Sequence, residues 1–222
     1  MEEIGIFGGT FNPVHKAHIN LAVEAKEEFG LDEVWFMPAK TPPHKLGKKV
    51  SDFSLTLKSP HKDNKYITDI STRMDMIKLA LEGYEYLRCS DFELRISSEI
   101  DKNYTYYTLQ RLKQFYRDIN LYFIIGADSL YEIESWKNPD IIMSLATLLV
   151  AGREYENKSL SMESMAGKLR SKYSADIRFI DFKEMDISSH TIREMVANNE
   201  DASEYLPQKV YNYIKENNLY KN

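Results

Sequence analysis

The sequence predicts an α/β fold, an open and mostly parallel sheet, doubly wound with helices on both faces. Three observations predict it. The chain opens on an apolar run from Ile4 to Phe7, then Gly8-Gly9, then a helix-periodic stretch, which reads as strand, glycine turn, helix. A second strand-like run, Glu33 to Met37, follows that helix closely, and strand–helix–strand at this spacing is a right-handed parallel crossover. Further on, the run from Leu121 to Ile125 is hydrophobic throughout, as a strand covered on both faces requires. A Rossmann-like sheet satisfies all three, and the 222 residues fit one domain, 1–222, with an elaborated loop at about 47–66.

The first helix begins near Val14 and runs to about Phe29, with Ile19, Ala22, Val23, Lys26 and Phe29 at helical spacing behind the turn signal Asn12-Pro13. Strand two is closed by Pro38. After it, Thr41-Pro42-Pro43-His44-Lys45 is a proline-stiffened loop at a carboxyl strand end, where ligands bind in open α/β sheets. The lysine-rich stretch from Gly47 to about Tyr66 reads as a long loop. Asp69 or Ser71 caps a helix to Leu81, with Met74, Ile77, Ala80 and Leu81 inward. Leu87-Arg88-Cys89 and Phe92-Glu93-Leu94 are short strand candidates, and Asn103 to Leu109 leads into a helix ending near Tyr116. The hydrophobic strand from Leu121 closes on Gly126-Ala127-Asp128, and Trp136 falls in a loop–helix region. Ala146 to Ala151 is another buried strand, followed by Gly152-Arg153; Ser161 to Lys172 is a helix and Ile177 to Ile180 a last strand. Beyond it, Ser188 or Ser189 caps a further helix.

Composition narrows the class. Hydrophobic content of 43% and charged content of 28% are ordinary for a globular chain, and a net charge of −5 argues against a general nucleic-acid surface. One cysteine, Cys89, leaves no internal disulfide and points to a reducing, cytoplasmic setting. No leader pattern precedes the first strand, and no apolar run approaches membrane-spanning length.

Two stretches carry chemistry. In the first, the N–H groups of the first helical turn lack intrahelical partners and favour an anion, and His15 and His18 lie three apart at that same end. A lone histidine is usually solvated or core, and a zinc site wants three or four ligands, which His44, His61 and His190 do not complete at any recognisable spacing. Two histidines beside Gly-Gly-Thr instead fit hydrogen bonds to a polyphosphate. The second stretch is Ser188-Ser189-His190-Thr191-Ile192-Arg193. Read blandly, it is a well-capped helix; read functionally, it is another anion-ready helix end with two hydroxyls and a forked guanidinium. Between them, Gly126 allows close approach and Asp128 can accept from a ribose or cap the next helix.

Gly8-Gly9-Thr10-Phe11-Asn12-Pro13-Val14-His15-Lys16-Ala17-His18 resembles the GGTFDPxHxGH signature of the HxGH nucleotidyltransferases, with Asn12 for Asp and Ala17 for Gly. Ile187-Ser188-Ser189-His190-Thr191-Ile192-Arg193 resembles the ISSTxIR motif of the same superfamily, with His190 for Thr. With Pro42-Pro43-His44-Lys45, Tyr104-Thr105, Phe123 to Leu130, Trp136 and the ending Tyr213 to Tyr220, the chain looks like a bacterial nicotinate-nucleotide adenylyltransferase.

That resemblance implies transfer of the adenylyl group of ATP to nicotinate mononucleotide, giving deamido-NAD and pyrophosphate. It implies His15, His18 and Arg193 at the reacting phosphates, and Gly8, Gly9, Thr10, Phe11, Gly126, Asp128, Ser188, Ser189 and Ile192 around ATP. It implies His44, Lys45, Thr105, Tyr106, Trp136 and Arg153 around the mononucleotide. Mg²⁺ is expected to arrive on the ATP oxygens without a dedicated protein ligand set, and a homo-oligomer is compatible with the family. Phosphopantetheine adenylyltransferases and cytidylyltransferases share the first motif, but Trp136, Tyr104-Thr105 and the length argue against both. A class I aminoacyl-tRNA synthetase fragment is opposed by the net charge and the lack of a KMSKS-like loop. A nucleotide sensor that lost turnover through Asn12, Ala17 or His190 remains a rival that an assay separates.

Overall fold

The computed structural model describes residues 1–39, 68–96, 104–152, 160–183 and 185–221. The predicted loop at 47–66, the Thr41–Lys45 segment and Arg153 lie outside the described residues. Six strands form one parallel sheet: β1 (Glu2–Gly9), β2 (Glu33–Pro38), β3 (Leu87–Cys89), β4 (Ile119–Gly126), β5 (Ala146–Ala151) and β6 (Ile177–Phe179). Their order is β3-β2-β1-β4-β5-β6, the doubly wound arrangement the sequence predicts, with every described pairing parallel. The order reverses between β1 and β4, where open α/β sheets leave a crevice at the carboxyl ends. Register puts Phe7 beside Ile124, so both strands end within a few residues of each other at that crevice.

The two-residue period of a strand divides the core between faces. Ile4, Ile6, Phe123, Ile125, Leu148 and Val150 pack into one layer, beneath α4 (Thr105–Phe115), α6 (Pro139–Leu145) and α7 (Met162–Tyr173). Phe7, Ile124 and Leu149 fall into the other, with α1 (Lys16–Phe29), α2 (Ile70–Leu81), α8 (Ser189–Ala197) and α9 (Gln208–Glu216). Helix α1 stops where Gly30 takes φ 64°, a left-handed cap costly for a side-chain-bearing residue, and the N–H of Gly30 returns to the Lys26 carbonyl.

Several local expectations change. Phe92-Glu93-Leu94 is not a strand but the start of a short helix, α3 (Phe92–Ile96). Asp91 opens it, its carbonyl accepting from Leu94 and Arg95 N–H, while Phe92 and Ile96 go inward at i and i+4. The inner face of α2 is Arg73, Met76, Ile77, Ala80 and Leu81; Met74 is only half-buried. Asp128 does not cap the next helix: Gly126 is the N-cap of α5 (Ala127–Glu132), and Asp128 sits in its first turn. The 3₁₀ turn Ile133–Ser135 and α6 are too short to read as periodic, whereas α9 does turn Val210 and Ile214 inward at i and i+4.

Candidate active site

The site starts in the six residues, Thr10 to His15, that join β1 to α1. Gly8 and Gly9 do not turn the chain, because β1 continues through both. The turn falls on Thr10 to Pro13, where Phe11 takes φ 48° and the Asn12–Pro13 peptide is cis. A phenylalanine in that region is strained by roughly 1–2 kcal/mol. Packing holds it: Phe11 is 3% exposed, with ring centroids 5.4 Å from Phe7, 5.3 Å from Phe36 and 5.1 Å from His18. Gly9 is needed for that packing, since a Cβ there would sit 2.9 Å from the Phe11 ring.

Side chains from three later segments hold the turn. Asn12, 2% exposed, accepts on Oδ1 from Thr68 Oγ1 at 2.9 Å, Thr68 N–H at 3.3 Å and the Tyr220 hydroxyl at 3.0 Å. All three partners are donors, so the position needs an acceptor rather than a charge, a role Asn and Asp share. From α8, Arg193 donates to the Asn12 carbonyl at 2.8 Å and the Ser189 hydroxyl to the Pro13 carbonyl at 2.8 Å. The two chemical stretches of the sequence are thus in direct contact.

The histidines stack at the start of α1, 3.7 Å between centroids and 29° between planes. His15 is the N-cap, and its N–H donates to His18 Nδ1 at 3.2 Å. A neutral His18 therefore carries its proton on Nε2, ready to donate. Burial pushes His15 down to about 3; burial first, and then the neighbouring His15, hold His18 well below the ordinary histidine value of 6.5. Both rings are neutral donors at neutral pH, and His15 Nδ1 is buried with no partner among the described residues. On α8, Ser188 is the N-cap, its Oγ accepting from Thr191 N–H at 3.1 Å, so its capping role holds. Ile192 is fully buried.

The remaining predicted residues do not all lie at the turn. Gly126 ends β4 and caps α5. Thr105 and Tyr106 open α4, whose N-terminus has no side-chain cap, and Thr105 Oγ1 is buried without a partner. Beneath that turn Glu93, 3% exposed, accepts from Thr108 Oγ1 at 3.0 Å, and burial pushes its carboxyl up to about 7. Trp136 is 5% exposed and packs edge-to-face on Phe123 at 6.3 Å, in the core. His44, Lys45 and Arg153 lie outside the described residues. Sequence reasoning missed Arg73, Thr68 and Tyr220. Arg73 had a signal: an arginine at i before apolar Met76, Ile77 and Ala80, on the inward face of α2.

Comparison with known proteins agrees with this geometry. The Cytidylyltransferase-like family matches residues 6–195. A "Probable nicotinate-nucleotide adenylyltransferase" of Clostridium botulinum (strain Eklund 17B / Type B) is 39% identical over 225 residues, covering 100% of this chain and 99% of that protein. A protein of the same name from Clostridium tetani is 36% identical over 224 residues, covering both chains fully at 100%. Among solved structures, Plasmodium falciparum nicotinic acid mononucleotide adenylyltransferase complexed with NaAD matches with a TM-score of 0.73 at 19% identity, covering 99% of this chain and 98% of that one, a likeness of fold. End-to-end identity at this level, on the six-stranded parallel frame and with both motifs in contact, places the chain in the nicotinate-nucleotide adenylyltransferase family of cytidylyltransferase-like proteins.

Proposed function

We propose that the chain joins ATP and nicotinate mononucleotide into deamido-NAD and pyrophosphate, a step of NAD biosynthesis. An oxygen of the mononucleotide phosphate attacks the α-phosphorus of ATP in line. The bond from that phosphorus to the oxygen bridging to the β-phosphate breaks, and pyrophosphate leaves with the electron pair. The nucleophile is already ionised, so no general base is required; positioning and charge stabilisation remain. The observation that carries this reading is the clasp of α8 onto the turn, Ser189 to Pro13 and Arg193 to Asn12, beside the stacked histidines. It gathers donors from both ends of the chain at one crevice.

In this reading His18 Nε2 and His15 donate to oxygens of the reacting phosphate. Arg193 and the start of α8 hold the β- and γ-phosphates, and Gly126 and Asp128 meet the ribose. The uncapped start of α4 receives the nicotinate carboxylate with Thr105 and Tyr106, and Trp136 backs the pyridine from the core. His44, Lys45 and Arg153 would serve the mononucleotide phosphate. Among the described residues no group of three or more His, Cys, Asp or Glu is placed to hold a metal ion. In this reading Mg²⁺ would be carried by the phosphates and would supply charge neutralisation there. Pyrophosphate release with ATP and nicotinate mononucleotide tests the reading. Steady turnover is expected; nucleotide binding without turnover, or turnover only with CTP or with phosphopantetheine, would overturn it.

A further inference from the structure

Arg73 is 1% exposed and makes no ion pair with a described carboxylate. Its guanidinium instead donates to three backbone carbonyls: Thr10 at 2.8 Å, Ala39 at 2.9 Å and Thr68 at 3.3 Å. Asp69, four residues earlier, uses its carboxylate oxygens to cap α2, accepting from Ser71 Oγ, Thr72 N–H and Thr72 Oγ1. A buried cation without a paired anion is costly, and a core position next to Met76 and Ile77 would be more cheaply filled by an apolar side chain. The three acceptors explain the arginine. Thr10 follows the end of β1, Ala39 follows the end of β2, and Thr68 precedes α2. Thr68 also donates twice to Asn12 Oδ1, so one guanidinium closes a loop of contacts around the strained turn.

We propose that Arg73 is a positioning residue for adenylyl transfer: by fixing the Thr10 carbonyl it aims the Phe11 N–H into the phosphate crevice, and it sets its positive charge beneath the turn. The inference rests on the reaction proposed above. A trans peptide is planar, with its C=O and N–H on opposite sides, so holding the Thr10 carbonyl towards α2 turns the Phe11 N–H the other way. That N–H has no acceptor among the described residues. An amide that stabilises the transferring phosphate must match the transition state, so a loosened turn lowers kcat more than it raises KM.

Arg73→Met and Arg73→Lys test this, with Ile77→Ala as a control at a fully buried site on the same helix. Arg73→Met, folded by circular dichroism, is expected to lose about 10²-fold in kcat, as a turn misplaced by about an ångström would. KM for both substrates should stay within about threefold, because ground-state binding does not require that alignment. Arg73→Lys, which keeps the charge but not the three-way fork, should fall between. Ile77→Ala should lower the melting temperature yet leave kcat within about threefold, the mark of lost packing alone. Should Arg73→Met fail to fold, Arg73→Lys decides. A folded Arg73 variant with wild-type kcat, or an equal kcat loss in Ile77→Ala at matched melting temperature, overturns the role. If wild type itself shows no turnover, the reaction assignment fails instead. Amide hydrogen exchange then decides the positioning: faster exchange at the Phe11 N–H in folded Arg73→Lys than in wild type supports it, and equal exchange overturns it.

Discussion

The two ends of the proposed substrate path are built on different plans. At the phosphate end the turn is tied in place before any ligand arrives. The carbonyls of Thr10, Asn12 and Pro13 accept from Arg73, Arg193 and Ser189, and the Asn12 amide oxygen takes three donors. At the pyridine end, α4 begins without a side-chain cap, and Thr105 Oγ1 is buried with nothing to bond. Stabilising charge in a transition state demands dipoles that need no reorganisation. Recognising one ring substituent demands donors that only the correct ligand satisfies. On the proposed assignment rate and selectivity fall in separate places, and substitutions should separate them.

The sharpest break falls on the phosphate end. His18→Ala should leave the fold intact and cut turnover by ~10²–10³, the usual cost of losing one donor to the reacting centre. Its effect should be equal for nicotinate and nicotinamide mononucleotides, because His18 is assigned to the phosphate they share. A variant within a few-fold of wild type would end that assignment. Next in size is selectivity itself. The open N–H groups at the start of α4 suit a carboxylate, whereas the NH₂ of a carboxamide would face donors and leave them unpaired. An unsatisfied buried donor costs roughly 1–3 kcal/mol, so nicotinate mononucleotide should be preferred by about tenfold to a hundredfold in kcat/KM. Equal values, or the opposite preference, would mean that the helix end does not read this group.

The phosphate end was the more legible of the two in the sequence, for a physical reason. Its residues lie in two short stretches, and capping and glycine-turn chemistry act over a few residues. The sheet was legible because strand–helix alternation is a local pattern with few topological solutions. What joins distant segments left weaker marks. The Tyr220 contact with Asn12 spans nearly the whole chain, and only the fold reveals it. Phe92-Glu93-Leu94 misled because so short an apolar–polar–apolar run does not separate a strand from a helix. At Gly8-Gly9 the expected sharp turn falls instead on Phe11, whose positive φ is made tolerable by ring packing that no local pattern announces.

The two ends should also answer acid with opposite sign. His15 and His18 titrate below the ordinary 6.5, so the unfolded chain binds protons that the native state refuses. Their contribution is full above about pH 6.5 and is lost as pH falls towards the folded values, at up to ~1.4 kcal/mol per unit for each ring. Glu93 runs the other way. Its carboxyl is raised from 4.5 to about 7, so its contribution is present below about pH 4.5 and is lost as pH rises through 7. Between pH 6.5 and 5 the histidines outweigh it, and stability should fall. Glu93→Gln keeps an acceptor for Thr108 and removes the opposing titration. Melting temperature measured over that window should then fall about twice as steeply as in wild type, one native proton uptake no longer offsetting two in the unfolded chain. An unchanged slope would mean that Glu93 is ionised in the native state across that window.

The smallest effect concerns Thr105. Its hydroxyl is buried, the residue being 4% exposed, and it has no partner among the described residues. Exchanging Thr for Val is ordinarily costly because a hydroxyl and its hydrogen bond are lost. Here no hydrogen bond exists to lose, and the methyl removes an unsatisfied polar group worth roughly 1–3 kcal/mol. Thr105→Val should therefore keep or raise the melting temperature. If the hydroxyl completes its bonding only on the bound carboxylate, kcat/KM for nicotinate mononucleotide should drop by tenfold or less, about one neutral hydrogen bond, with the nicotinamide compound barely affected. The backbone donors of α4 remain, so the preference should shrink without vanishing. Complete loss of selectivity would move discrimination from the helix backbone to this one side chain. A fall in both substrates together, with a lower melting temperature, would mean that Thr105 supports the turn and reads nothing.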